Sequence, residues 1–286
     1  MKKVQFMHPG SQKPFKLNKG YRKINDTVIR EWNNDKNHYR KFILNDGCYL
    51  DNLNDTQPKQ SDLYFWGEWE GNSVFDPLKN KETRIMPNGV HFPYHSTENR
   101  GHQNTDPFVY GDCFKYCVCK QIGGMLNLPA NSVILFGTTF PSLNKFYIDT
   151  VFVVKDFEHS SQVIKNNGVN YTKTYHETTL EQLDCYLSQK VKPSENRIYR
   201  SQTWWENQQF FSFVPCKTNM GNNGFERLYL NLDDDVFHLS KNPTGKSFLN
   251  ECLLSPVELW QKIVEIAISQ GFKLAIKFAE PKKKVF

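Results

Sequence analysis

Val133-Ile134-Leu135-Phe136, followed by Phe146-Tyr147-Ile148-Asp149-Thr150-Val151-Phe152-Val153-Val154, is the stretch that decides the fold class. Val133–Phe136 and Val151–Val154 are apolar at consecutive positions. A strand with one wet face alternates, so short unbroken apolar runs describe strands buried on both faces. Working outward, Lys3–Met7, Tyr39–Leu44, Asp62–Glu70, Arg197–Arg200, Gln209–Val214, Arg227–Leu232 and Lys273–Phe278 read as further strands. Pro107–Lys120 reads as an extended aromatic run, and Gly71–Asp106 as a long irregular stretch rich in Asn, Pro, Gly, His and Thr.

Helical signals are fewer. Thr178-Thr179-Leu180-Glu181 forms a capping box for a helix over about 178–189. Ser255-Pro256-Val257-Glu258 opens another over about 256–270, with Val257, Trp260, Ile263, Val264 and Ala267 on its apolar face and a stop at Gly271. Thr27–Asn33, after Asp26, is a short helical candidate. The expected fold is α+β, a β-rich core with peripheral helices. No repeat or linker divides the chain, so 1–286 reads as one composite domain, its core at about 1–160 with further strands at about 195–240.

Composition agrees. Aromatics reach 14%, led by Phe 22 and Tyr 13, which suits sheets, and 286 residues bury a full core. The net charge is +6, of which Lys282, Lys283 and Lys284 supply half. That balance suits a polyanionic partner without establishing one. The seven cysteines lack framework spacing, which argues for a reducing compartment and a cytoplasmic protein. No apolar run approaches the roughly 18–20 residues needed to span a bilayer, so no membrane is expected.

Phe65-Trp66-Gly67-Glu68-Trp69-Glu70 carries the most chemistry. Strand alternation sends Trp66, Glu68 and Glu70 to one face and Phe65, Gly67 and Trp69 to the other. Carboxylates beside an indole suit a flat, hydrogen-bonding ligand such as a base. Trp204-Trp205, after Arg200, forms a second aromatic cluster in which one ring is expected buried and one exposed. His91, His95, Asn104, Asp106, Asp112 and Gln121 are further candidates for polar contacts along the intervening loops. Cys113, Cys117 and Cys119 match no common zinc module, so no metal is expected. Asn242-Pro243-Thr244-Gly245-Lys246-Ser247 imitates a P-loop but lacks the required first glycine, Ser240 standing in its place.

Asn131–Thr138 with Phe146–Val154 resembles the strand pair central to the PUA-like superfamily, which includes ASCH and EVE domains and readers of modified bases. The sequence departs from that pattern at Asn131-Ser132. His8-Pro9-Gly10 and the Phe65–Glu70 segment also resemble an uncharacterised bacterial or phage family linked to nucleotide modification or phage defence. The first resemblance implies a partly open β-barrel that binds nucleic acid or a nucleotide and holds a base, modified or not, in an aromatic-lined pocket. Trp66, Trp69, Trp204 or Trp205 would wall it, with Glu68, Asp106 or Gln121 reading polar edges. The alternative is an enzyme of N-glycosyl chemistry, a glycosylase, hydrolase or NAD-consuming ADP-ribosyltransferase, with Glu68 and Asp106 as catalytic carboxylates. A protein partner using the same aromatics is a third expectation.

Overall fold

The computed structural model describes residues 1–8, 21–24, 27–30, 40–79, 85–95, 105–117, 121, 124–165, 171–180 and 196–282. Among them the strands, in chain order, begin with β1 (Lys3–Met7), β2 (Tyr21–Ile24), β3 (Thr27–Arg30), β4 (Lys41–Leu50) and β5 (Lys59–Gly67). There follow β6 (Ser73–Pro77), β7 (Gly89–Pro93), β8 (Lys115–Tyr116), β9 (Val133–Phe140) and β10 (Lys145–His159). The last are β11 (Arg197–Ser201), β12 (Val214–Lys217), β13 (Leu228–Asn231), β14 (Gly245–Phe248) and β15 (Lys273–Phe278). Helices are α1 (Ser160–Lys165), the single turn α2 (Lys173–Tyr175) and α3 (Pro256–Ser269). None of the described helices is long and apolar enough to cross a membrane.

The chain is α+β and β-rich. One sheet runs β14-β1-β9-β10-β11-β8, with β13 also on β10. In the second, β15-β12-β5-β4 closes into a four-stranded barrel because β15 returns to pair with β4, and β7 and β6 extend it. The consecutive apolar runs explain the first sheet. Val133, Leu135, Val151 and Val153 join Trp260, Ile263 and Val264 of α3 in one core. Ile134, Phe136, Phe152 and Val154 enter the other, with Phe65, Trp69, Ala275 and Phe278 of the barrel side. Both faces of the β9–β10 pair are thus dry. Phe213 bridges to Val151 of the sheet immediately before β12 enters the barrel, which stitches the two bodies together.

Helix α3 begins as its sequence dictates. Ser255 Oγ accepts from Glu258 N at 3.2 Å, and Glu258 returns a carboxylate oxygen to Ser255 N at 2.7 Å. It ends in a Schellman motif, with Gly271 at φ 75 and Phe272 N donating to Ala267 O at 2.9 Å. Val257, expected on the apolar face, is exposed, and Leu259 is buried beside Trp260 instead.

Other expectations change. Residues 27–30 are a strand paired with β2, not a helix; the run Thr27-Val28-Ile29 is β-branched and favours the pleat over the helix. Gly71–Asp106 contains the β6–β7 pair, and Pro107–Lys120 contributes only β8 and two isolated bridges among its described residues. The helix expected at 178–189 falls mostly outside the described residues; His176–Leu180 is a wide, π-type turn. The barrel takes β12 and β15 from the C-terminal half, so the β-rich core extends well beyond residue 160. The β9–β10 pair that carries the PUA-like resemblance lies in the first sheet, outside the four strands of the barrel. The P-loop mimic leads into β14, a strand where a phosphate-binding loop needs a helix.

Candidate functional site

Two places gather the chain's chemistry. The first is inside. In the β9–β10 register Ile148 faces Gly137 and Thr150 faces Phe136, so Asp149 is the extra residue of a β-bulge. Bulges re-aim side chains, and this one sends a carboxylate into the protein. Gly137 suits the close approach, because a Cβ there would lie 2.0 Å from Tyr147 O.

Asp149 Oδ2 lies 2.7 Å from Arg40 Nε, and Oδ1 lies 3.6 Å from Arg227 Nη1. Arg40 Nη1 reaches Glu68 Oε2 at 2.5 Å, with His8 Nδ1 3.5 Å from the same oxygen. Arg227 donates to Thr138 Oγ1 at 3.1 Å, and its guanidinium stacks 4.4 Å from the Trp66 ring centre. All of these side chains are buried. Burial pushes the Asp149 carboxyl up, opposed by Arg227 and Arg40. It lowers Arg227 to about 10, which leaves the guanidinium charged at neutral pH. Desolvating such ions costs several kcal/mol apiece and is offset only by close pairing.

This arrangement settles the Phe65–Glu70 segment. The strand ends at Gly67, short of the expected Glu70, so alternation applies only to Phe65 and Trp66, which enter different cores; Trp69, beyond the strand, joins Phe65. Trp66 is nevertheless 2% exposed, its Nε1 donating to Phe225 O at 2.9 Å, and Trp69 is equally enclosed. Neither is a pocket wall, because Trp66 packs in the core that holds Val133, Val151 and Phe225, and Trp69 in the one that holds Phe136 and Val154. Glu68 is likewise internal. Glu70 is half-buried, its backbone N–H given to Thr105 Oγ1 at 3.0 Å.

Other candidates are enclosed as well. Gln121 is a brace: its amide donates to Cys117 O and Arg197 O, and its Oε1 accepts from Arg197 N. Asp106 is fully buried and accepts from Cys117 N at 2.9 Å. His95 is buried, its backbone N–H donating to Lys282 O. Asn104 lies outside the described residues.

His91 is buried beside Phe75, 2.9 Å from Ser73 Oγ. Burial, with the Lys41 charge adding, lowers its pKa from 6.5 to about 3. Between those values the unfolded chain binds a proton that the folded chain refuses. His91 therefore makes stability fall as the pH drops below 6.5, by up to ~1.4 kcal/mol per pH unit. In urea titrations at pH 7 and pH 5, wild type should lose more stability than His91→Asn; equal losses would refute the assignment.

The second place is accessible. Trp204 is buried while Trp205 is 49% exposed, the ring pair meeting edge-on at 6.0 Å. Trp205 lines a cleft of about 380 Å3 together with Lys155, Arg200, Lys277, Asp112 and Thr203. Arg200 comes from the first sheet and Lys277 from the barrel, so the cleft sits on their seam. Arg200 makes a two-pronged pair with Asp156 at 2.7 and 2.8 Å and reaches Glu158 at 2.9 Å. Lys277 binds Asp112 at 2.8 Å and lies 5.9 Å from the Trp205 ring centre, and Lys155 binds Glu206. Of the residues expected to read a ligand, Asp112, Arg200 and Trp205 come together here.

Searches of family models, of curated proteins and of solved structures find no match to this chain.

Proposed function

We propose that the chain binds a nucleotide or single-stranded nucleic acid, stacking a base on Trp205 and holding phosphate with Lys155, Arg200 and Lys277. The half-exposed indole amid three cations in a cleft of about 380 Å3 carries this reading. The volume falls in the range of small-ligand sites, roughly 300–1,000 Å3. Lys155 and Lys277 each rest on one exposed carboxylate, Glu206 and Asp112, and such pairs are worth only about 0–1 kcal/mol, so a phosphate can take the carboxylate's place; Arg200, held by both Asp156 and Glu158, is the more firmly paired of the three. Stacking a base on an exposed aromatic contributes roughly 1–3 kcal/mol. The resemblance of the β9–β10 pair to PUA-like base readers points the same way, and extends the proposal to modified bases.

Trp205→Ala should weaken binding of a labelled oligonucleotide about 10-fold or more, measured by fluorescence anisotropy. Because Trp205 is half-exposed and outside the two buried cores, the thermal midpoint should stay near wild type. Unchanged affinity would remove the indole from the site.

A second reading places N-glycosyl chemistry at the buried cluster. Glu68, fixed between Arg40 and His8, would stabilise an oxocarbenium-like centre. Under it, wild type consumes NAD or releases free base, and Glu68→Gln abolishes turnover while circular dichroism still reports a folded chain. Turnover intact in the folded variant rejects Glu68 as the catalytic carboxylate.

A further inference from the structure

A second and larger cleft, about 740 Å3, differs in character from the first. Five amides, Asn131, Asn207, Gln208, Gln209 and Gln261, share its lining with the apolar Met1, Leu53, Phe210, Val257 and Trp260, and no charged side chain lines it. Its position relative to the Trp205 cleft follows from the chain. On one wall Trp205 borders the charged cleft and Asn207 the amide cleft, two residues apart and so within about 7.6 Å between Cα atoms. On the other wall Lys155 borders the charged cleft, and its neighbour Val154 accepts at 2.7 Å from the N–H of Asn131, which borders the amide cleft.

The turn between them is built to stay in place. Trp204 anchors it in the core. Glu206 and Asn207 donate backbone N–H groups to Thr203 O at 3.3 and 3.1 Å, and the Glu206 carboxylate accepts from Thr203 N and Oγ1. A ridge fixed before the ligand arrives loses little freedom on binding.

We infer that the two clefts are one continuous track for an extended single strand of nucleic acid several nucleotides long, with Trp205 and its cations at one end and base-reading amides at the other. This rests on the nucleotide-binding reading above. The division of labour is chemical. Cations meet phosphates without regard to sequence. Each amide offers donors and an acceptor together, the complement of a base edge. A mononucleotide would use the charged end and leave the amide end empty.

The test compares chain lengths. Labelled oligothymidylate and oligouridylate octamers are titrated by anisotropy, then displaced by unlabelled mononucleotide, dimer, tetramer and octamer. Affinity should climb at least 100-fold from mononucleotide to octamer for one or both series. Gln208→Ala with Gln261→Ala, both at exposed positions, should weaken the octamer about 10-fold and leave the mononucleotide unchanged, whereas Trp205→Ala should weaken both. A mononucleotide that competes as well as the octamer, or amide substitutions without effect on the octamer, overturns the track and leaves the Trp205 site standing. Failure of every length to bind overturns the nucleotide reading itself.

Discussion

Asp149→Ala is expected to lower the unfolding free energy by ~3–5 kcal/mol, the usual effect of stripping one partner from a buried ion pair. The carboxylate faces two guanidiniums, Arg40, which also pairs with Glu68, and Arg227, which also meets Trp66 and Thr138, and its removal takes a buried countercharge from both. Positive charge left buried with one countercharge fewer, more than the lost attraction, supplies the penalty. Urea denaturation read by circular dichroism gives the number, and a loss below about 1 kcal/mol would show that the cluster is less dry than its burial indicates. Removing charges together should be far milder: Asp149→Leu combined with Arg227→Met replaces the pair by apolar groups and should recover most of the loss. Such recovery would mean that the pair is dispensable for stability.

Trp260→Ala should cost a similar ~3–5 kcal/mol, by a different route. The indole sits on the buried face of α3 among Phe210, Phe211 and Phe213, with ring centres 5.8, 5.0 and 6.4 Å away. Its Nε1–H donates to Phe211 O at 2.7 Å, so the substitution opens a cavity and also deprives a buried carbonyl of its donor. Trp260→Phe keeps most of the packing and loses the hydrogen bond. It should fall between wild type and Trp260→Ala in the same urea experiment. Equal stability of all three would contradict the packing described for α3.

The sequence pattern carried the layering well. Consecutive apolar residues in β9 and β10 require cover on both sides, and α3 and the barrel supply it. The capping residues of α3 and the limits of β15 were equally legible, since each depends on local chemistry. Residues 27–30 were misread because a cap signal at Asp26 was weighed above three β-branched residues in a row. The interior ionic cluster was harder. The β4–β5 pairing, with Lys41 opposite Gly67, brings Arg40 beside Glu68, but His8, Asp149 and Arg227 come from segments far apart in the chain, and no local pattern joins them to that pair. One signal was present: Asp149 is the one charged residue of Phe146–Val154, and a charge in so apolar a run needs a buried partner. Strand alternation also placed Phe65 and Trp66 on opposite faces without revealing that both faces are enclosed. Trp205 stands out from Trp204 only once the turn it occupies is known to lie over a cleft.

The decisive measurement is oligonucleotide binding across a salt series, read by fluorescence anisotropy. Three cations replacing counterions on a single strand give a slope of log affinity against log salt of about −2. The account predicts that slope for wild type, a slope shallower by about 0.7 for Lys277→Ala, and weak binding for Trp205→Ala. Absence of binding at low salt, or binding indifferent to both substitutions, would contradict it.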